Sequence, residues 1–174
     1  MLERLTIAGA GGQGIVLAGK LLATAAMDEL PFVTFFPDYG AEVRGGNSKC
    51  QVILSTDEIA SPVTDQLDSL LVMNQGAAGQ FRGRMAATPL VILNSSLASA
   101  ERVPPSAVLL PLTEWAAGLG DVRAANFVML GAYLARRPVV SPARMEGAIV
   151  AALADKGERV ADLNRRAFRM GLER

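Results

Sequence analysis

Short continuous apolar runs alternate along the chain with longer stretches in which apolar residues recur every three or four positions. The runs are Leu5 to Ala8, Phe32 to Phe36, Cys50 to Leu54, Ser69 to Met73, Leu90 to Leu93 and Ala107 to Leu110. Most lack alternating polar positions, which is the pattern of strands covered on both faces. Between the first two runs, Ile15 to about Glu29 is dense in leucine and alanine and predicts a helix. Strand, helix and strand within about 30 residues predict a βαβ unit and a parallel sheet. One connection departs from this alternation. After Leu54, Ser55-Thr56-Asp57-Glu58 runs through Ile59 to Ser61-Pro62. That connection is too short for a crossover helix, so a hairpin is expected there and the sheet is expected to be mixed.

The end of the chain has helical spacing. Asn126 to Arg137 carries Phe127, Val128, Leu130, Tyr133 and Leu134 and stops before Pro138. Ser141-Pro142 predicts a helix start, with serine as N-cap and proline at the first helical position. Met145, Ile149, Ala152 and Leu153 then share a face, with Gly157 placed to close the helix. Val160, Leu163, Ala167 and Phe168 mark a last helix. From Lys156 onward there are six basic and three acidic residues, read as a solvated helix face. The expected fold is α/β: a single Rossmann-like domain over residues 1–174, with a mostly parallel, partly mixed sheet flanked by helices and a helical C-terminal part. Val103-Pro104-Pro105-Ser106 reads as a turn within that domain.

Composition narrows the chemistry. With 174 residues, 51% of them hydrophobic, the chain can bury roughly 70% of its unfolded surface as one domain. Lysine plus arginine and aspartate plus glutamate are 17 each, so the net charge is zero. That balance argues against a nucleic-acid partner, which needs phosphate neutralisation. There is no histidine, so the commonest general base, the usual metal ligand and a Ser-His-Asp triad are excluded. A single cysteine, Cys50, excludes an intrachain disulfide, a thiolate zinc site and a self-contained iron–sulfur cluster. Cys50 lies in a strand and reads as a core residue. No apolar run reaches the ~20 residues of a membrane span, and no basic-then-apolar leader opens the chain, so a soluble cytoplasmic protein without a membrane partner is expected.

Two glycine-rich segments stand out. Gly9-Ala10-Gly11-Gly12-Gln13-Gly14 follows a strand and opens a helix, the context of a phosphate-binding G-x-G-x-x-G turn. A helix N-terminus there favours an anion; the alternative is a turn that only packs helix on strand. A dinucleotide site also needs an acid near the end of the second strand. The candidate, Asp38, comes 24 residues after Gly14 and beyond Pro37, which is late. The second segment runs from Asp38 through Tyr39, Gly40, Ala41, Glu42, Val43, Arg44, Gly45, Gly46 and Asn47 to Ser48. It should lie on the same sheet edge, in the crevice where open α/β sheets bind ligands. Arg44 can fork onto a carboxylate or phosphate, with Glu42 as its charge partner. Asn74-Gln75, Asn94-Ser95-Ser96 and Thr113-Glu114 follow later strands and either line the crevice or cap helices. There is no G-x-S-x-G, no Walker lysine loop and no acid cluster with metal-ligand spacing.

Together these residues resemble one family. Ile7-Ala8-Gly9-Ala10-Gly11-Gly12-Gln13-Gly14-Ile15-Val16-Leu17-Ala18-Gly19 looks like the opening of the gamma subunit of 2-oxoacid:ferredoxin (acceptor) oxidoreductases. Tyr39 to Gly46 with Ser48 is similar to that family's second signature, in a form closest to the 2-oxoglutarate branch. Ser61-Pro62, Asn126 with Met129-Leu130-Gly131-Ala132, and Asn164 with Ala167-Phe168 and Gly171 extend the resemblance over nearly the whole chain. It implies a complex that oxidatively decarboxylates a 2-oxoacid, transfers the acyl group to coenzyme A and passes electrons to ferredoxin. It also implies thiamine diphosphate and magnesium on alpha and beta subunits, and iron–sulfur clusters on other chains, among them a ferredoxin-like delta subunit. This chain holds no cofactor alone and is not expected to be active alone. Its implied contribution is coenzyme A positioning and assembly. Gly9, Gly11, Gly12, Gln13 and Gly14, with Tyr39, Gly40, Glu42, Arg44, Gly45, Gly46 and Ser48, form either a ligand pocket or a surface that meets the catalytic subunits. No catalytic residue or metal ligand is implied for this chain. A free-standing NAD-type oxidoreductase and a purely architectural subunit are the alternatives.

Overall fold

The computed structural model describes residues 1–39, 46–78, 80–81 and 85–174. Strand β1 (Leu2–Ala10) leads into helix α1 (Ile15–Ala26), followed by β2 (Phe32–Tyr39), β3 (Asn47–Ser55), β4 (Leu67–Val72), β5 (Met85–Asn94) and β6 (Val108–Leu110). Helices α2 (Leu112–Gly118), α3 (Ala125–Arg136), α4 (Pro142–Ala152) and α5 (Glu158–Leu172) complete the chain. Helix α4 starts as its sequence predicts, with the Ser141 hydroxyl accepting from the Arg144 N–H and Pro142 in the first turn. It ends earlier than expected, at Ala152. Gly157, at φ 91°, precedes α5 rather than closing α4.

The six strands form one sheet in the order β2-β3-β1-β4-β5-β6. β1, β4, β5 and β6 pair in parallel, while β3 runs antiparallel to both β1 and β2. The sheet is therefore mixed, as expected, but the hairpin is not where the sequence reading put it. β3 and β4 are not neighbours, because β1 lies between them. The hairpin is β2–β3, with Tyr39 opposite Ser48. The connection over 40–46 is itself too short for a crossover, so the same steric argument applies one connection earlier. β1 takes the central place because Leu5, Ile7 and Ala8 are apolar on both faces and must be covered on both.

The sheet separates two apolar layers. Leu5, Ile7, Cys50, Val52, Leu71 and Ile92 point into one, which all five α-helices cover through residues such as Leu22, Leu112, Tyr133, Ile149 and Phe168. Leu70, Val72, Val91 and Leu93 alternate onto the other, against Ala77, Phe81 and Val103. α3 is buried almost throughout, and it packs on α5 where Gly131 and Gly171 let the two backbones touch. A Cβ on Gly131 would strike the Phe168 carbonyl, and one on Gly171 the Val128 carbonyl. This helical layer props up the start of α1. No helix among the described residues is long and apolar enough to cross a membrane.

Candidate functional site

The carboxyl ends of β1, β4, β5 and β6 and the start of antiparallel β3 lie on one edge of the sheet. The chain leaves β1 toward β2 on one side, and leaves its parallel neighbour β4 toward β5 on the other. The loop after β1 thus sits at a topological switch point, where an open α/β sheet leaves a crevice. That loop is Ala10 to Gly14. The Gly11 N–H donates to the Gly46 carbonyl at 2.9 Å, so the two glycine segments meet. Ser48 lies across from Gly9 on one side and Tyr39 on the other. Gly40, Glu42, Arg44 and Gly45, and with them the Glu42–Arg44 pairing expected from the sequence, lie outside the described residues.

Gln13 braces the loop. Its Oε1 accepts from the Ala10 N–H at 2.7 Å, and its Nε2 donates to the Met73 carbonyl at 3.4 Å, beyond β4. Asn94, fully buried at the end of β5, donates to the same carbonyl at 3.3 Å and to Thr113 Oγ1 at 2.8 Å. Side-chain amides thereby tie the β1, β4, β5 and β6 loops into one rim. Of the other polar clusters, Asn74 caps locally, its Oδ1 accepting from the Ala77 N–H, while Ser96 Oγ reaches from the loop after β5 to accept from the Glu114 N–H in the first turn of α2. Gly9 is packed tightly. A Cβ there would lie 2.6 Å from Gln13 Oε1 and 2.9 Å from Met73 Cβ, so its lack of a side chain serves packing. Gly12 differs, because at φ 94° an added Cβ would meet nothing within 4 Å.

Gly12 divides two recesses. One of about 170 Å³ is lined by Gln13, Met73, Leu97, Thr113, Val122 and Arg123. The other, about 400 Å³, lies between the start of α1 and the α3/α5 pair, where Gly14, Asn126, Lys156 and Asn164 meet Leu17 and Val160. α1 begins without a side-chain cap and without an acid in its first turn. Its first N–H groups have no partner within the helix, which suits an anion. Arg123 stands at the mouth of both recesses. It is bound to Asp121, with Nη2 2.7 Å from Oδ2. That hydrogen bond holds the Asp121 carboxyl below, and the Arg123 guanidinium above, their ordinary values.

Three further expectations are located. Asp38 forms an ion pair with Lys49 at 3.0 Å. Cys50 is fully buried, and burial pushes its thiol up to about 12. Among the described residues no cluster of three or more His, Cys, Asp or Glu residues could hold a metal. The residues around these recesses therefore do not fit thiamine-bound magnesium or an iron–sulfur cluster. Asn126, Arg123, Lys156 and Asn164 were not picked out as site residues by the sequence reading. The available signal was Asn126 itself, a polar residue within an apolar helical run, which needs a partner once buried.

Residues 4–174 match the family described as pyruvate ferredoxin/flavodoxin oxidoreductase. The ketoisovalerate oxidoreductase subunit VorA of Methanothermobacter thermautotrophicus is 36% identical over 98% of this chain, which spans 36% of that protein. The 2-oxoglutarate synthase subunit KorC of Archaeoglobus fulgidus is 35% identical over 97% of this chain and 86% of its own length. The chain thus spans about a third of VorA and most of KorC. Among solved structures, the gamma subunit of a keto/oxoacid ferredoxin oxidoreductase from Geobacter sulfurreducens superposes with a TM-score of 0.84 at 31% identity, covering 99% of this chain and 95% of that one. The 2-oxoglutarate:ferredoxin oxidoreductase of Magnetococcus marinus, solved with 2-oxoglutarate, coenzyme A and succinyl-CoA, shares the fold with a TM-score of 0.88 at 24% identity, over 99% of this chain and 30% of that one.

Proposed function

The chain belongs to the pyruvate ferredoxin/flavodoxin oxidoreductase family, and from that premise we propose that it is the gamma subunit of a 2-oxoacid:ferredoxin oxidoreductase acting on 2-oxoglutarate in the cytoplasm. Residues 1–174 form one gamma-type domain in this reading. Alpha and beta subunits carry thiamine diphosphate with magnesium. Iron–sulfur clusters on other chains, including a ferredoxin-like delta subunit, take the electrons to ferredoxin. The complex converts 2-oxoacid, coenzyme A and two oxidised one-electron acceptors into acyl-CoA, carbon dioxide, two reduced acceptors and a proton. The carrying observation is the end-to-end likeness to KorC.

This chain's own part is to bind and orient. An uncapped helix start, Gly12 facing open space and the amide-braced rim suit the phosphates of coenzyme A. Thioester formation needs the thiol held against an acyl group generated on a neighbouring subunit, and positioning alone can supply a large share of such a rate. The candidate ligand or subunit contacts are Gly9, Gly11, Gly12, Gln13, Gly14, Tyr39, Gly40, Glu42, Arg44, Gly45, Gly46 and Ser48.

The test is purification of the tagged chain from its native host at low salt. Alpha and beta chains, thiamine diphosphate and iron should co-purify, with 2-oxoglutarate oxidation dependent on coenzyme A. Recovery of a lone chain that binds NADH tightly would replace this reading with a nucleotide-dependent oxidoreductase. In the complex, Arg44→Ala should raise KM for coenzyme A or break assembly. An intact complex with unchanged kinetics would remove Arg44 from the site.

A further inference from the structure

Directly opposite residues of paired strands share a face of the sheet. Val33 and Phe35 stand beside Leu54 and Val52 and pack under the helices. Phe32 and Phe36 stand beside Ser55 and Gln51 and so point to the other face, as does Leu2 across from Ser55. On that face Ala77, Phe81 and Val103 cover β4 and β5. Over β2 and β3 there is no α-helix among the described residues. The connection from β3 to β4 meets this half at Thr64, whose backbone N–H and carbonyl bond the Gln51 side-chain amide at 3.4 and 3.2 Å. Phe36 is left 42% and Phe32 38% exposed, with Leu2 and Val63 exposed as well. A sheet with mainly parallel strands is normally covered on both faces, and clustered exposed aromatics mark a contact surface.

The position of the patch says what covers it. Beyond Phe36 the same two strands run through the Asp38–Lys49 ion pair, at 3.0 Å, to Tyr39 and Ser48. Just past Ser48, the Gly46 carbonyl accepts from the Gly11 N–H on the crevice rim. The aromatic face is therefore continuous with the rim that an acyl donor has to approach. β2 is eight residues long, so the outer face of two strands measures about 250 Å². A stable interface takes about 800 Å² from each partner. A second copy seated on this patch alone falls short, and one spread over the rim would seal the crevice. A partner that brings the acyl group to the crevice covers patch and rim together.

We propose that the outer face of β2 and β3 docks the acyl-supplying partner subunit, with Phe32 and Phe36 seated in an apolar surface of that partner. The proposal rests on the gamma-subunit reading for the identity of the partner.

Hydroxyl-radical labelling of the wild-type chain, alone and in the purified complex, tests it. Phe32 and Phe36 should be labelled in the lone chain and about fivefold less in the complex, as interface core residues are. Equal labelling in an assembled complex would overturn the docking while leaving the gamma-subunit reading intact. Protection already present in the lone chain and lost on dilution would assign the face to a second copy and overturn the proposal. Were no partner chain to co-purify with the wild type, the docking and the gamma-subunit reading would fall together. Phe36→Arg in the tagged chain should cut recovery of the partner about tenfold. The lone variant should keep its Tm within about 3 °C, since Phe36 is outside the core. Undiminished recovery would overturn the proposal. Should Phe36→Arg unfold the chain, the labelling of the wild type decides.

Discussion

Gly12 and Gly14 adopt the same left-handed backbone for different reasons, and the difference is measurable. At Gly14 an added Cβ would run into the Asn126 side chain, whereas at Gly12 it would enter open space. Gly12→Ala should cost about 1–2 kcal/mol through the backbone alone, and Gly14→Ala about 3 kcal/mol because Asn126 must also move. Urea unfolding compares them, and equal losses would contradict the packing at Gly14. Charge gives a second expectation. The Arg4 guanidinium bonds both Asp68 oxygens, at 2.8 and 3.0 Å, and holds that carboxyl below its ordinary value against the opposing effect of burial. The folded value lies below the unfolded one. The pairing therefore stabilises the fold above about pH 4 and is lost as pH falls through the folded value. Asp68→Asn should lower Tm at pH 7 and flatten the fall of Tm in acid. A variant with the wild-type acid limb would contradict this. The glycine loop could be read from sequence because glycine marks positive φ locally. Asn126 could not be assigned to it, since its partner lies 112 residues away.

At the level of elements, the apolar runs located each strand of the described residues, because burial on both faces leaves a continuous apolar signature. They did not order the strands. Nothing local in Cys50 to Leu54 says that β1, rather than β4, will pair beside it, so the hairpin was expected one connection too late. α2 was missed for a related reason: Leu112–Gly118 is short, and its buried Leu112 and Ala116 are too few to set a period. The α3–α5 crossing was also hidden, since Gly131 and Gly171 look like weak points in their helices until the two backbones are seen in contact. Gly131→Ala and Gly171→Ala should each cost about 3 kcal/mol or more, because the clash is with backbone and cannot be relieved by rotating a side chain. The double variant should lose less than the sum, since separating the helices once relieves both. Strict additivity in thermal or urea unfolding would contradict a shared contact.

Seen whole, the described residues place five α-helices on one face of the sheet and the loops that follow its parallel strands on one edge, where the glycine segments meet. It contains one cysteine, fully buried, and no histidine. The fold class and the glycine loop were open to inspection in the sequence. The recess beside α1 was not, because its walls come from the start of α1, the start of α3 with the turn before it, and residues 153–164 only once the chain has folded. The central claim is that this chain orients a phosphate-bearing co-substrate while its partners handle electrons. It is tested most directly by assaying 2-oxoglutarate- and coenzyme A-dependent viologen reduction by the purified chain alone, by the partner subunits alone and by the reconstituted complex. Turnover should appear only in the complex. Reduction of viologen by the chain alone, or full coenzyme A-dependent activity in partners lacking it, would contradict the account.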